Sequence, residues 1–121
     1  MSVIQNFDIS RVIAYIDTGA LRKNVAMIRS VSPQSKISAV VKANAYGHDL
    51  ALVSEAVNNL VDGFSVATIS EGVQLRNLGI CSPIWILSGC MSEVEARCAE
   101  QSPRVEYSDA SQQKMTSQLT P

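Results

Sequence analysis

The sequence predicts an α/β fold in which parallel strands alternate with helices. Short apolar runs typical of buried strands recur along the chain, and between them apolar residues return at helical spacing. Strands separated in this way pair in parallel, because each helix carries the chain back to the starting edge of the sheet. The pattern fits a doubly wound sheet or part of a β/α barrel. No G-x-G-x-x-G motif follows the strand ending at Lys42, which disfavours a dinucleotide-binding fold.

In the first third of the chain, the sequence predicts a loose arm at residues 1–10, followed by two strands and one helix. The short run Val12–Ile16 indicates a strand, and Asp17 is suited to cap the helix that follows. Apolar residues at helical spacing extend this helix over about residues 18–30. The continuous apolar run that begins the segment Ile37–Lys42 predicts a second strand, which should be buried on both faces.

The remaining elements continue the same alternation. Helices are predicted to begin at Asp49, at Ser70 and at Ser92, and the last has a capping box formed by Ser92 and Glu95. Apolar runs predict three further strands: Phe64–Thr68, Ile84–Leu87 and Arg104–Tyr107. A final helix is expected to begin near residue 108, with two apolar residues on one face: Met115 and Leu119.

Composition narrows the class of function. A chain of 121 residues with 46% hydrophobic residues can form one domain with a core. Its net charge of −1 argues against a nucleic-acid partner or an anionic membrane surface, since both require a clustered basic excess. No apolar run approaches the ~20 residues of a membrane span, and no signal peptide is visible at the amino terminus.

The cysteine and histidine content gives no indication of a metal site. Cys81, Cys90 and Cys98 lack C-x-x-C spacing, and His48 is the only histidine. A zinc site is therefore not expected. Free thiols are typical of the reducing cytosol, so a cytoplasmic location is expected.

Lys42 is the residue on which the functional interpretation depends. A lysine that closes a buried parallel strand lies at the carboxyl edge of the sheet, where α/β folds place their chemistry. Apolar surroundings there favour the neutral amine that a Schiff base requires. Judged by position alone, a solvated lysine at a strand end is the better interpretation. The small-residue turn that follows carries Asn44, Gly47 and His48, and the histidine is expected to hydrogen-bond the turn.

The segment Ala39–His48, which reads AVVKANAYGH, closely resembles the pyridoxal-phosphate attachment motif of alanine racemases. Ten consecutive positions of unusual composition at a strand end make the resemblance specific. The flanks are similar as well, at Ile16-Asp17, Phe64–Ala67 and Pro83–Leu87. The resemblance covers nearly the whole chain, whereas the chain covers only part of the family's length.

The resemblance implies an eight-stranded, TIM-type β/α barrel followed by a mainly β carboxyl-terminal domain. Residues 1–121 would be the amino-terminal segment of that barrel, about half of it. Lys42 matches the lysine that forms the internal aldimine with pyridoxal 5'-phosphate and acts as one base at the substrate Cα. Tyr46 and Leu87 match residues that contact the cofactor. One departure is Asp49, where the family usually has glycine, and it could shift the turn.

The implied reaction is the interconversion of L-alanine and D-alanine, which supplies D-alanine for cell-wall peptidoglycan. In the family, the base on the opposite face comes from the carboxyl-terminal domain of a partner subunit, so a homodimer is expected. Tyr46 comes from the same turn as Lys42 and is poorly placed to reach that face. Two alternatives stay open: a racemase of broader amino-acid range, and a truncated fragment without catalytic activity.

Overall fold

The computed structural model describes residues 12–90, 92–100 and 105–107. In chain order its elements are α1 (Thr18–Val31), β1 (Ser38–Val40), α2 (Lys42–Tyr46), α3 (Leu50–Val57), β2 (Gly63–Val66), α4 (Ile69–Asn77), β3 (Ile84–Ile86), α5 (Glu93–Glu100) and β4 (Val105–Tyr107). The strands form one parallel sheet in the order β1-β2-β3-β4, which confirms the predicted alternating α/β architecture. The loose arm and the final helix predicted near residue 108 lie outside the described residues.

The strand predicted at Val12–Ile16 is wrong. Residues 12–17 have no regular secondary structure and do not join the sheet. The side chains of Val12, Ile13 and Tyr15 are largely exposed to solvent. An apolar run forms a strand only where its backbone can form hydrogen bonds with the edge of a sheet. Here β1 is the edge strand, and residues 12–17 do not pair with it. The described alternation therefore begins with a helix.

Local capping chemistry sets the starts of the long helices. Asp17 and Asp49 each accept a hydrogen bond from the backbone N–H three residues on, at 2.8 and 3.0 Å. Ser92 likewise accepts one from the N–H of Glu95, so the predicted caps Asp17 and Ser92 are confirmed. Asp49, predicted only to begin a helix, caps it as well. The fourth helix starts earlier than predicted, because Thr68 rather than Ser70 is its cap.

The core lies between the outer face of the sheet and the helices. Phe64 and Val66 of β2 and Ile84 and Ile86 of β3 are fully buried there, together with Leu75 of α4. Because side chains alternate along a strand, the residues between them point to the opposite, inner face of the sheet. None of the helices in the described ranges is long and apolar enough to cross a lipid bilayer.

The inner face is packed at its amino-terminal end. Gly63 and Trp85 are neighbours on this face, and a Cβ at Gly63 would clash with the indole ring and lie 2.7 Å from the Pro83 carbonyl oxygen. Ser38 and Ser65 join β1 to β2 through a 2.7 Å hydroxyl–hydroxyl hydrogen bond. Glycine and serine thus leave room for a single large ring on this side of the sheet.

The strand predicted at Ile37–Lys42 is shorter than expected, and it is not buried on both faces. It spans Ser38–Val40, and both of these end residues are exposed on the inner face, Val40 at 42%. The four described strands do not close around that face, and its carboxyl-terminal end is exposed at Val40 and Leu87. Val41 leaves the extended conformation with ψ of 22°, which ends the strand before Lys42.

Candidate functional site

Lys42 lies at the carboxyl edge of the sheet, as predicted, but it begins α2 two residues beyond the end of β1. Its side chain is partly buried. Within the described part of the chain, the Lys42 amine has no hydrogen bond and no ion pair. No described residue therefore competes with a ligand for the Lys42 amine.

The turn that follows Lys42 is left-handed. Ala43, Asn44, Ala45 and Tyr46 have φ between 52° and 56°, and the first three have ψ between 45° and 51°. These angles are those of a left-handed helix, which costs about 1–2 kcal/mol per residue for side chains with a Cβ. Such a conformation persists only where the surrounding structure stabilises it.

Local hydrogen bonds stabilise much of this turn. The backbone N–H of Ala45 donates to the Val41 carbonyl at 2.9 Å, and the Ala45 side chain is buried in the core. The Asn44 side-chain oxygen accepts a 2.8 Å hydrogen bond from the N–H of Leu50, the first residue of α3. Gly47 then ends the turn with φ of 82°, a value that glycine tolerates best.

His48 and Asp49 complete the connection to α3. The His48 Nδ1 atom is 3.1 Å from the Ala45 carbonyl oxygen, so the predicted hydrogen bond between this histidine and the turn is confirmed. Asp49 has φ of 75° and caps α3 with its carboxylate. An aspartate at this position therefore keeps a backbone conformation suited to glycine and adds a helix cap.

Glu71, which sequence reasoning did not select, connects α4 to the turn. Its Oε1 atom accepts a 2.9 Å hydrogen bond from the N–H of Ala43, the residue after Lys42. Its Oε2 atom accepts hydrogen bonds from the N–H groups of Ala67 and Thr68, at 2.7 and 3.1 Å. The spacing of Thr68 and Glu71 indicates a capping box, but nothing local to the sequence indicates the contact with Ala43.

Tyr46 ends α2, and its side chain is 59% exposed. It lines an open cavity of about 510 Å³ whose other walls include Tyr15, Asn24 of α1 and His48. Lys42 is not among the residues that line this cavity. The assignment of Tyr46 to a cofactor pocket stays a prediction.

Leu87 follows β3 directly and extends the sheet by one hydrogen bond, from its N–H to the Val66 carbonyl at 2.8 Å. By alternation it points to the inner face, like Trp85, and it is 44% exposed. Adjacent strands lie about 4.8 Å apart, so β1 and β3 are separated by roughly 10 Å. Lys42 and Leu87 therefore share the carboxyl edge of one sheet, and the contact of Leu87 with a cofactor stays a prediction.

Two further classes of site residue can be compared with the described structure. A second base on the opposite face could be a tyrosine, and the sequence has two besides Tyr46: Tyr15 and Tyr107. Tyr15 is 89% exposed and lies with Tyr46 in the cavity beside the turn. Tyr107 belongs to β4. No group of three or more histidine, cysteine, aspartate or glutamate side chains in the described ranges is arranged to hold a metal ion.

Comparison with known proteins relates this geometry to one family. The family model for the alanine racemase N-terminal domain matches residues 16–118. The alanine racemase of Mannheimia succiniciproducens is 48% identical over 77 residues, which are 64% of this chain and 22% of that protein. The alanine racemase of Pasteurella multocida is 53% identical over 76 residues, covering 63% of this chain and 21% of that protein. The chain thus spans about a fifth of the length of the curated relatives it matches.

Solved structures give the same result for the fold. The alanine racemase from E. faecalis superimposes with a TM-score of 0.74 at 32% identity, covering 87% of this chain and 28% of that chain. The alanine racemase from Acinetobacter baumannii gives a TM-score of 0.72 at 38% identity, covering 77% and 27%. The four parallel strands are thus an incomplete TIM-type β/α barrel, as predicted. The chain belongs to the alanine racemase family, and its described residues form part of that family's amino-terminal barrel domain.

Proposed function

We propose that this chain provides the lysine side of a pyridoxal-phosphate-dependent active site that interconverts L-alanine and D-alanine. Residues 1–121 are, in this proposal, the amino-terminal segment of an alanine racemase-like β/α barrel. The observation that carries the proposal is the position of Lys42. Its partly buried amine, with no hydrogen bond or ion pair to any described residue, lies at the carboxyl edge of a parallel sheet in a chain of this family.

The residues at this edge fit pyridoxal 5'-phosphate. Lys42 would hold the cofactor covalently through its Nζ atom, while Leu87 offers a half-exposed apolar surface for an aromatic ring. Tyr46, from the same turn as Lys42, would contact the cofactor from the turn. When bound, pyridoxal 5'-phosphate supplies an electron sink that lowers the cost of removing the proton from the substrate Cα.

Racemisation requires proton transfer on both faces of the substrate Cα. Lys42 serves one face as the base that takes or returns the proton, and its short tether to the sheet keeps it on that face. Tyr46 comes from the same turn as Lys42, and Tyr15 and Tyr46 line a cavity to which Lys42 does not contribute. In the family that the chain resembles, the opposite-face base comes from a partner subunit, and we propose a second subunit of a homodimer as its source here.

Alanine is the proposed substrate because the compared relatives and solved structures are alanine racemases. The product D-alanine would supply cell-wall peptidoglycan, and the free thiols of Cys81 and Cys90 favour the cytoplasm as the compartment. Substrate range is tested with a panel of L-amino acids. Rates on larger side chains equal to the rate on alanine would replace this proposal with a broader racemase.

The assignment of Lys42 is tested by trapping. The chain is incubated with pyridoxal 5'-phosphate and reduced with borohydride, and the modified lysines are identified by peptide mass spectrometry. We expect a visible absorbance band before reduction and modification at Lys42 after it, both lost in Lys42→Ala. The matched control is Lys36→Ala, which removes an exposed lysine before β1 and should change neither signal. A band that persists in Lys42→Ala contradicts the assignment.

Catalysis is tested separately from cofactor attachment. Racemisation of L-alanine is measured with the chain alone and with the remaining part of a homologous racemase supplied in trans. We expect turnover only in the second case, because the opposite-face base must be supplied. Absence of turnover in both cases, with Lys42 still modified, would identify a chain that binds the cofactor without catalysing the reaction.

A further inference from the structure

The backbone around Lys42 is held from two directions by the next β/α unit. On the strand side, the N–H of Val41 donates to the Ser65 carbonyl of β2 at 2.9 Å. On the turn side, the N–H of Ala43 donates to Oε1 of Glu71, in α4, at 2.9 Å. The Ala43 N–H belongs to the peptide that contains the Lys42 carbonyl, so this hydrogen bond orients that peptide plane directly.

The Glu71 carboxylate is itself immobilised. Its second oxygen accepts hydrogen bonds from the N–H groups of Ala67 and Thr68, directly after β2. A carboxylate with both oxygens engaged cannot rotate without breaking charge-assisted hydrogen bonds, which are among the stronger ones in proteins. The position of the Ala43 N–H is therefore fixed relative to β2 as well as to α4.

The left-handed turn makes this contact important. Ala43 is the first of four consecutive non-glycine residues with positive φ, and its side chain is exposed, so no core packing of that side chain selects its conformation. The Lys42 side chain leaves the backbone at the junction between the extended strand and this turn. A change in the Lys42–Ala43 peptide would change the direction of the amine relative to the sheet edge.

We propose that Glu71 is a positioning residue, which holds the Lys42–Ala43 peptide and thereby directs the Lys42 amine toward its carbonyl reactant. The inference rests on the proposed function of Lys42 for its chemical consequence. The structural part, the hold of Glu71 on the turn, stands on hydrogen bonds between described residues.

Glu71→Gln tests this role selectively. An amide has one acceptor oxygen and one donor nitrogen, whereas the site presents three N–H donors. The oxygen is expected to stay with the paired donors of Ala67 and Thr68, which leaves the amide nitrogen facing the N–H of Ala43. The substitution should therefore release the turn while keeping the start of α4.

The matched control is Thr68→Ala. It removes the hydroxyl that caps α4 by accepting a hydrogen bond from the Glu71 N–H, but it leaves the Glu71 carboxylate in place. Glu71→Asp provides a second test should Glu71→Gln fold poorly, because it keeps the charge and shortens the reach toward Ala43. Exchange of the core amides of Phe64 and Leu75 reports the global stability of each variant.

The first readout is amide hydrogen exchange of Ala43 in the chain without cofactor. We expect a loss of protection of about tenfold or more in Glu71→Gln relative to the core amides, as for removal of a charge-assisted hydrogen bond. Thr68→Ala should leave the ratio of Ala43 to core protection unchanged. Unchanged Ala43 protection in Glu71→Gln, or an equal loss in Thr68→Ala, would overturn the inference.

The second readout is the rate of borohydride-trapped modification by pyridoxal 5'-phosphate at Lys42, divided by the rate at Lys36 in the same molecules. This ratio should fall several-fold in Glu71→Gln and stay at the wild-type value in Thr68→Ala. If wild-type Lys42 reacts no faster than Lys36, the proposed function fails. The Ala43 exchange then still decides whether Glu71 holds the turn, so the two failures are distinguishable.

Discussion

At the scale of single residues, the left-handed turn after Lys42 explains the unusual composition of its sequence. Alanine carries the smallest side chain with a Cβ, and asparagine tolerates this region better than most residues. At position 45 a second reason favours alanine, because the methyl group of Ala45 is buried in the core. The turn therefore combines residues that limit the steric cost of the left-handed conformation with hydrogen bonds that offset the cost that remains.

Replacing an exposed alanine by glycine should have opposite effects in the turn and in a regular helix. Ala43→Gly relieves steric strain at φ of 52°, which outweighs the entropy cost of glycine, so we expect stabilisation of about 0.5–1 kcal/mol. Ala26→Gly, at an exposed position within α1, should destabilise by about 1 kcal/mol. Urea denaturation of both variants measures the difference, and equal destabilisation would show that the turn is not strained at Ala43.

At the scale of elements, Asp62 connects the end of α1 to the starts of two strands. Its carboxylate forms a 2.9 Å ion pair with Arg29 of α1 and accepts a 2.7 Å hydrogen bond from the N–H of Ile37, just before β1. Asp62 itself precedes β2. The Ile37 backbone hydrogen bond, followed by that of the Arg29 side chain, lowers the pKa of Asp62 below its ordinary value of 3.8.

The lowered pKa of Asp62 predicts a loss of stability in acid. A carboxylate whose pKa is lower in the folded state contributes stability above its ordinary pKa and loses that contribution as the pH falls through the folded pKa. The wild-type chain should therefore lose stability from about pH 4 downward. In Asp62→Asn, stability should depend less steeply on pH in this range. Thermal unfolding across the acid range measures it.

Arg29→Ala is the matched variant for this prediction. It removes the Arg29 hydrogen bond and the Arg29 charge but leaves the Ile37 N–H in place, so the dependence of stability on pH should fall by less than in Asp62→Asn. An acid slope in Asp62→Asn identical to that of the wild type would assign the acid sensitivity to other carboxylates. The contribution is modest because the pair is partly exposed and screened by solvent.

At the scale of the whole molecule, the two faces of the sheet differ. The outer face is a closed core with helices, whereas the inner face exposes Val40 and Leu87 toward the carboxyl edge. The inner face of a β/α barrel is normally filled by side chains from all its strands. The described part of the chain therefore derives its stability mainly from the outer face and presents the inner face to the site.

Neighbouring residues of β3 and its extension test this division. Ile86→Ala removes a fully buried side chain from the outer face, and we expect a loss of about 2–5 kcal/mol. Leu87→Ala removes a similar side chain from the inner face, where it is nearly half exposed, and should cost roughly 1 kcal/mol. Urea denaturation compares the two, and equal losses would mean that the inner face is covered in solution.

The sequence alone allowed prediction of the features that depend on neighbours in the chain. Apolar runs and helical spacing predicted the four strands of the sheet, and capping chemistry predicted the starts of α1, α3 and α5, because these signals act within a few residues. The position of Lys42 at the carboxyl edge followed from the direction of the strands. Its role followed from resemblance to a family.

The tertiary structure alone decided what depends on distant partners. Val12–Ile16 has the composition of a strand, yet a strand also requires a sheet edge to pair with, and that pairing is not local. The left-handed conformation of Ala43–Tyr46 is stabilised by contacts with α3 and α4. Glu71 of α4 accepts a hydrogen bond from the Ala43 N–H, and the Asn44 side chain accepts one from the N–H of Leu50 in α3. The contact between Glu71 and Ala43 joins residues 28 positions apart, so only the packing of one β/α unit against the next creates it.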